Sequence, residues 1–400
     1  MQSQPGLRAT APMLFGLQPL EDTERSFAWF AAMREAHPVF FHEGTGIWQV
    51  FRYDDVLNVL TDYARFSSNA FEDVGAFFEG TLVAKDPPEH RKLRSLVNQA
   101  FTPRAVAGLA DRIRQITQEL LDAVLARGEL DVVADIAFPL PAKVIAELLG
   151  VPDEDWDIFQ RWAQADPSSP LARRMAGRTM RQEMEEYFTD LIAERRRAPR
   201  EDLISALCQA EIDGQRLSQS ELLSFCILLL AAGQETTKNL IANAVVCFTD
   251  HPEIMECLRR QPDLMPAAIE EVLRFLPPVW FLLRRTTTEV ELGGQRIPAG
   301  QSVLVWTASA NRDPAQFPEP DRFLIDRSPN RHLAFGHGIH YCVGAPLARL
   351  EARIALPLML QRLGRLERLP NVPIMVNRGL VFVIRSLPIT FEAAATGSQR

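Results

Sequence analysis

Several small groups of residues in this chain have the types and spacings that chemistry requires. In Phe335 to Gly344, Cys342 sits among Gly336, Gly338 and Gly344, and Ala345 and Pro346 follow. Proline suits the first turn of a helix, so Cys342 lies just before a helix N-terminus. There the dipole and free amide hydrogens favour a thiolate, and glycines let backbone N–H groups approach the sulfur. The loop reads as a holder for an anionic sulfur ligand. A second group, Ala232-Gly-Gln-Glu-Thr236, falls in the middle of a long apolar run. Glycine inside a helix costs about 1 kcal/mol against alanine, and a buried carboxylate must be paired or used. One reading is a polar patch meeting another buried polar group. The functional reading is a local helix distortion beside a reaction centre, where Glu235 and Thr236 handle protons. Leu228, Ala232 and Thr236 share one face at four-residue spacing.

Glu271 and Arg274 lie three residues apart, as do Glu194/Arg197, Glu256/Arg259 and Glu319/Arg322. Such pairs are mostly weak surface contacts. The setting separates this one, because Ala267 to Phe275 is apolar enough to bury it. His90 and Arg94 stand one helical turn apart and can reach one anionic group. Trp280, Leu282 and Arg284 alternate along an expected strand, giving one face two bulky apolar groups and a cation.

The elements that must position these groups follow from periodicity. A helix over 24–36 stops at Pro38, and 39–41 and 47–51 flank Gly44 and Gly46 as a hairpin. A short helix covers 54–60. The irregular stretch 67–88 carries Phe71, Phe77 and Phe78, and its length and aromatic content favour a functional loop. From Glu89 to Asp250 the pattern is mostly helical. Its longest helix opens at a Ser218/Glu221 capping box and ends before His251-Pro252. Helices near 253–260 and 265–276 follow, then strands at 280–286, 290–292 and 302–306, a helix over 347–363 and a strand near 380–384. No repeat or linker interrupts the chain. A single domain over 1–400 is expected, mainly α, with β-rich parts near 38–52, 280–307 and 378–392.

The composition is that of an ordinary soluble protein, 47% apolar and 24% charged, with a net charge of −8. No long basic run points to nucleic acid. No run of about 18 apolar residues and no signal-peptide layout appears, so a cytoplasmic protein without a membrane anchor is expected. The five cysteines form no C-x-x-C pair, which argues against zinc sites and disulfide frameworks. His332 and His337 read as surface polar residues.

Taken together, the motifs resemble those of the bacterial cytochromes P-450, the haem-thiolate monooxygenases. The F-G-x-G-x-H-x-C-x-G pattern at Phe335 to Gly344 is specific by itself. Ala232 to Thr236, Glu271 to Arg274, and Ala310-Asn-Arg-Asp-Pro314 with Phe317, Pro320, Asp321, Phe323 and Arg327 join it in order, so the resemblance spans essentially the whole chain.

The resemblance implies the cytochrome P-450 fold, a long central helix over haem b (iron protoporphyrin IX), and insertion of one oxygen atom of O2 into a substrate. Cys342 would be the iron ligand, with Phe335, Gly336, Gly344 and Ala232 against the haem. His90, Arg94, Arg284 and His340 would pair with its propionates. Thr236 would hydrogen-bond dioxygen and Glu235 relay protons, whereas Glu271, Arg274 and Arg327 would be structural. Phe71, Phe77, Phe78, Leu228, Ala231, Ala232, Trp280, Leu282 and Val381 would line the substrate pocket. Electrons would come from NAD(P)H through a reductase and a ferredoxin. The apolar pocket segments favour hydroxylation of a hydrophobic small molecule such as a terpenoid, steroid, fatty acid or similar secondary metabolite. The alternatives are an H2O2-driven peroxygenase and a non-catalytic haem-thiolate sensor.

Overall fold

The computed structural model describes residues 16–73, 78, 80–164 and 170–392. Helices dominate, and the labels used below are α1 (Thr23–Ala36), α2 (Glu89–Ala100), α3 (Ala110–Leu125), α4 (Pro139–Leu149), α5 (Gln219–Asp250), α6 (Met265–Phe275) and α7 (Ala345–Leu363).

The organising element is α5, 32 residues long, or about 48 Å at 1.5 Å per residue. It starts at the expected box: Glu221 N–H donates to Ser218 Oγ (3.2 Å) and Ser218 N–H to Glu221 Oε2 (2.7 Å). From Leu222 to Phe248 its residues are mostly buried, because α4, α6 and α7 pack round it. Ala231 and Ala232 are the exception, exposed in mid-run. α7 packs along α3 on one side and against α5 and α6 on another. The main apolar core lies among these helices.

Among the described residues the small β portion is spread over four sheets. The largest orders Val39–His42, Ile47–Val50, Ser302–Val305, Leu282–Thr286 and Phe66–Ser67 side by side. Only the pair Ile47–Val50 with Ser302–Val305 is parallel. Gly16–Pro19, Met375–Arg378 and Val383–Ile384 form a second sheet, and Leu366–Arg368, Pro388–Phe391 and Glu129–Asp131 a third. Val290–Leu292 and Gln295–Ile297 make a hairpin.

Two expectations need correction. The strand expected from Trp280 begins at Leu282, because Val279 bridges Val381 and Trp280 N–H donates to Leu380 O (3.0 Å). The Trp280 ring therefore leaves the face of Leu282 and Arg284. It stacks on Phe382 (5.0 Å, 4°) beside Phe27 and Phe30. The helical stretch from Glu89 to Asp250 is also broken by the strand Glu129–Asp131 and a π-helical turn, Val132–Ala137, whose first N–H groups are capped by Asp131.

Candidate active site

The Cys342 loop is built by short-range hydrogen bonds. Gly336 N–H donates to Leu333 O (3.0 Å), Tyr341 N–H to Gly338 O (3.1 Å) and Cys342 N–H to Phe335 O (3.0 Å). Gly336 and Gly338 take φ of +70° and +69°. At Gly338 a Cβ would also lie 2.9 Å from Leu60 O, so glycine is required twice over. α7 starts three residues after the cysteine, with Gly344 as its cap and Pro346 in its first turn.

The sulfur is surrounded as the sequence suggests, and burial opposes what those neighbours do. Burial pushes the Cys342 thiol up, ahead of the lowering effects of the Gly344 N–H, Arg94, the Ala345 N–H and Arg349. Cys342 nonetheless keeps accessible surface. An anion in a recess is poorly solvated even where one side is open, so the thiolate needs more than a helix end. A coordinated metal cation would supply it, since a ligating thiol is deprotonated outright.

A cationic rim stands beside the loop. The His90 and His340 rings lie 4.2 Å apart, and both Nε2 atoms are buried without a hydrogen-bond partner among the described residues. Burial, then Arg94 and Arg284, bring His90 down to about 4, against a small opposing pull from Asp86. Burial, then Arg284, His90 and Arg94, bring His340 to about 2. Arg284 is 3% exposed, donates to Leu283 O (2.7 Å), and is lowered by burial to about 10. Unpartnered ring nitrogens beside arginines call for anionic acceptors. A haem, with two carboxylates and an iron for the sulfur, fits these residues. Leu282 joins them, as its Cδ1 would lie 3.6 Å from a Cβ at Gly336.

Within α5 the sequence motif takes a different form from the one expected. The helix is unbroken through Gly233. Glycine serves close packing, since a Cβ there would lie 2.9 Å from Ile145 Cδ1 on α4. Thr236 Oγ1 donates to Ala232 O (2.8 Å), leaving the hydroxyl free to accept. Glu235 is paired: Lys238 Nζ donates to its two oxygens at 2.8 and 2.9 Å, and Asn239 Nδ2 to its backbone O at 2.7 Å.

Glu271 and Arg274 are both 0% exposed and joined twice, at 2.7 and 2.8 Å. Glu271 also accepts from Arg327 Nε (3.2 Å), Leu324 N–H (2.9 Å) and Asn330 Nδ2 (3.1 Å). Arg274 donates onward to the carbonyls of Asn311, Pro320 and Arg322. Asn311 Oδ1 then accepts Leu333 N–H (2.7 Å) at the root of the cysteine loop.

Sequence reasoning missed the neighbour of this pair. Glu270 accepts from Arg349 Nε and Nη2 (2.7 Å each) and from His332 Nε2 (3.0 Å). Ala334 N–H donates to His332 Nδ1 (3.2 Å), so the neutral ring carries its proton on Nε2. The His332 side chain is 4% exposed and is not the surface group expected. The Arg349 guanidinium lies 4.5 Å from the centre of the Phe335 ring and donates to the Tyr341 hydroxyl (3.0 Å). The apolar setting of Ala267 to Phe275 gave no sign of which glutamate faced which way.

Of the expected pocket residues, Ala231 and Ala232 are open, Leu282 and Val381 half-buried, and Leu228 buried. Phe78 packs half-buried on the main core, and Trp280 lies in the aromatic cluster already described. The Phe71 side chain and Phe77 lie outside the described residues.

The family model "Cytochrome P450" matches residues 142–392. The chain is 44% identical over 359 residues to the cyclomarin C epoxidase CymV of Salinispora arenicola, covering 86% of this chain and 90% of that one. It is 43% identical over 350 residues to the erythromycin C-12 hydroxylase of Saccharopolyspora erythraea, covering 84% and 87%. A crystal structure of CYP109E1 from Bacillus megaterium in complex with testosterone superposes with a TM-score of 0.86 at 39% identity, covering 92% and 99%. The chain belongs to the cytochrome P450 family, among its bacterial monooxygenases.

Proposed function

We propose that this enzyme hydroxylates a bulky, neutral, weakly polar metabolite such as a terpenoid, steroid or macrolide, using haem b held by Cys342. The observation that carries the haem assignment is the pair of unpartnered Nε2 atoms on His90 and His340. They stand with Arg94 and Arg284 beside a glycine-shaped cysteine loop. When bound, haem supplies an iron centre at which O2 is reduced and one oxygen atom is transferred to the substrate. The chain's own part is to hold, orient and protonate. His90, Arg94, Arg284 and His340 fix the carboxylate edge, and Phe335 packs beside the sulfur. Thr236 presents a hydroxyl anchored on Ala232 O, and Glu235, held by Lys238, carries protons toward it.

The substrate class rests on two supports. Ala231, Ala232, Leu282 and Val381 are accessible and apolar. The named relatives act on cyclomarin C and erythromycin, and a neighbour binds testosterone. The acid and alcohol on α5 favour the dioxygen route over direct use of H2O2. Electrons would then come from NAD(P)H through a reductase and a ferredoxin in the cytoplasm. Among the described residues no helix is long and apolar enough to cross a membrane.

Cys342→Ser tests the reading. The wild-type protein should show the red-shifted absorption of a ferrous–CO complex with a thiolate ligand, and the variant should lose it. A variant that keeps the band removes Cys342 as the ligand. Steroids and macrolides that change the haem absorption of the wild type would support the substrate class, and a response to charged compounds alone would contradict it.

A further inference from the structure

The strap of His332, Glu270 and Arg349 is bound up with the cysteine loop through Ala334, Phe335 and Tyr341. Two parallel bonds of 2.7 Å join Arg349 to Glu270, in the bidentate form that fixes a guanidinium most firmly. The two side chains are 22% and 25% exposed, so their fields are only partly screened. Burial would raise the Glu270 carboxyl, but the bonds from Arg349 and His332 outweigh it and bring it to about 2. The carboxylate is therefore charged at neutral pH, and the guanidinium opposite it carries the balancing charge. Arg349 also lies over the Phe335 ring and donates to the hydroxyl of Tyr341, the residue next to Cys342, so its charge stands against the cysteine loop. Glu270 reaches the loop only through its two partners.

We propose that Arg349 is a positioning residue that sets the electron donation of the Cys342 thiolate, with Glu270 and His332 holding it in place and cancelling part of its charge. The inference rests on the haem-thiolate reading above. A positive charge near the sulfur draws electron density from it and favours the reduced iron, whereas a negative charge does the reverse. The two halves of one ion pair should therefore act with opposite sign. Removing the Arg349 charge leaves Glu270 uncompensated and lowers the reduction potential. Removing the Glu270 charge leaves Arg349 uncompensated and raises it. A strap that served only to hold the fold would have no such antisymmetry, because breaking it from either side would loosen the same loop.

The experiment compares the haem-loaded wild type with R349Q, E270Q and the double variant, reading the reduction potential by spectroelectrochemistry and the ferrous–CO band. Both glutamines can still hydrogen-bond across the pair. The expected result is a negative shift for R349Q, a positive shift for E270Q, and a double variant close to wild type, with the thiolate band kept throughout. Shifts of the same sign, or none, would overturn the inference while leaving the haem-thiolate reading standing. Absence of the thiolate band in the wild type would instead sink that reading. If the neutral variants fail to take up haem, R349K decides. Haem-loaded R349K at the wild-type potential supports a role for charge, and R349K without haem reduces the strap to structure and overturns the proposal.

Discussion

Glu271→Gln removes one unit of charge and almost no volume from the most heavily bonded carboxylate among the described residues. The side chain is 0% exposed, and each of its oxygens accepts from Arg274 and Arg327, with Leu324 N–H on one and Asn330 on the other. An amide can accept on one atom only, so the introduced glutamine would turn its NH2 toward donors. Arg274, also 0% exposed, would keep its carbonyl partners but lose its counter-charge. Breaking a buried pair from one side costs about 3–5 kcal/mol. Unfolding entropy is about 2.1 cal/mol/K per residue, so over 400 residues this is a fall of about 4–6 °C in Tm. The loss should reach the cysteine loop, because Asn311 links Arg274 to Leu333 N–H. Thermal unfolding and haem content per mole of purified protein read both effects. A variant with full haem and a Tm within about 1 °C of wild type would refute the claim that this pair anchors the cysteine loop.

Thr236→Ala removes the hydroxyl anchored on Ala232 O, and should leave haem and substrate binding intact while diverting electrons to peroxide; unchanged coupling of NADPH oxidation to product would exclude its role in proton delivery. Glu351 on α7 is 1% exposed, has no hydrogen-bond partner for Oε2 among the described residues, and is raised by burial well above its ordinary 4.5. Above pH 4.5 the folded state keeps a proton that the unfolded state gives up, so stability falls as pH rises, by about 1.4 kcal/mol per unit until the folded group itself ionises. Glu351→Gln should abolish that slope, narrowing the Tm difference between pH 5.5 and 7.5. Equal slopes in variant and wild type would show that Glu351 has the same protonation in both states.

The sequence carried the site's residues better than its electrostatics. Cys342, the glycines around it, and the pairing of Glu271 with Arg274 were legible because each depends on local spacing or on an apolar setting. The rim of His90, Arg94, Arg284 and His340 draws on three separate stretches of chain, and only a resemblance could assemble it. The shared face of Trp280, Leu282 and Arg284 failed because periodicity does not say where a strand stops. The bridge between Val279 and Val381, a contact across more than a hundred residues, decides it. The balance at the sulfur was illegible for a related reason, since the dipole of α7 is readable from proline and glycine, but desolvation depends on what the rest of the fold packs around the sulfur.

Glu270 and Glu271 show how much one residue of offset means. Successive residues on a helix point about 100° apart, so neighbouring carboxylates serve different parts of the fold. Glu271 turns to the meander that runs from Asn311 to Asn330 and holds it through Arg274 and Arg327. Glu270 turns to α7 and holds Arg349. The cysteine loop lies between these two anchorages, tied at Leu333 through Asn311 on one side and at Phe335 and Tyr341 through Arg349 on the other. One short helix, α6, thereby restrains both ends of the loop. Separate substitution of the two glutamates should divide stability from redox tuning. E271Q acts through a fully buried charge that has no path to solvent, and its main effect should be on folding and haem content. E270Q acts through a half-buried pair whose arginine lies over Phe335 and bonds Tyr341 in the cysteine loop, and its main effect should be on potential.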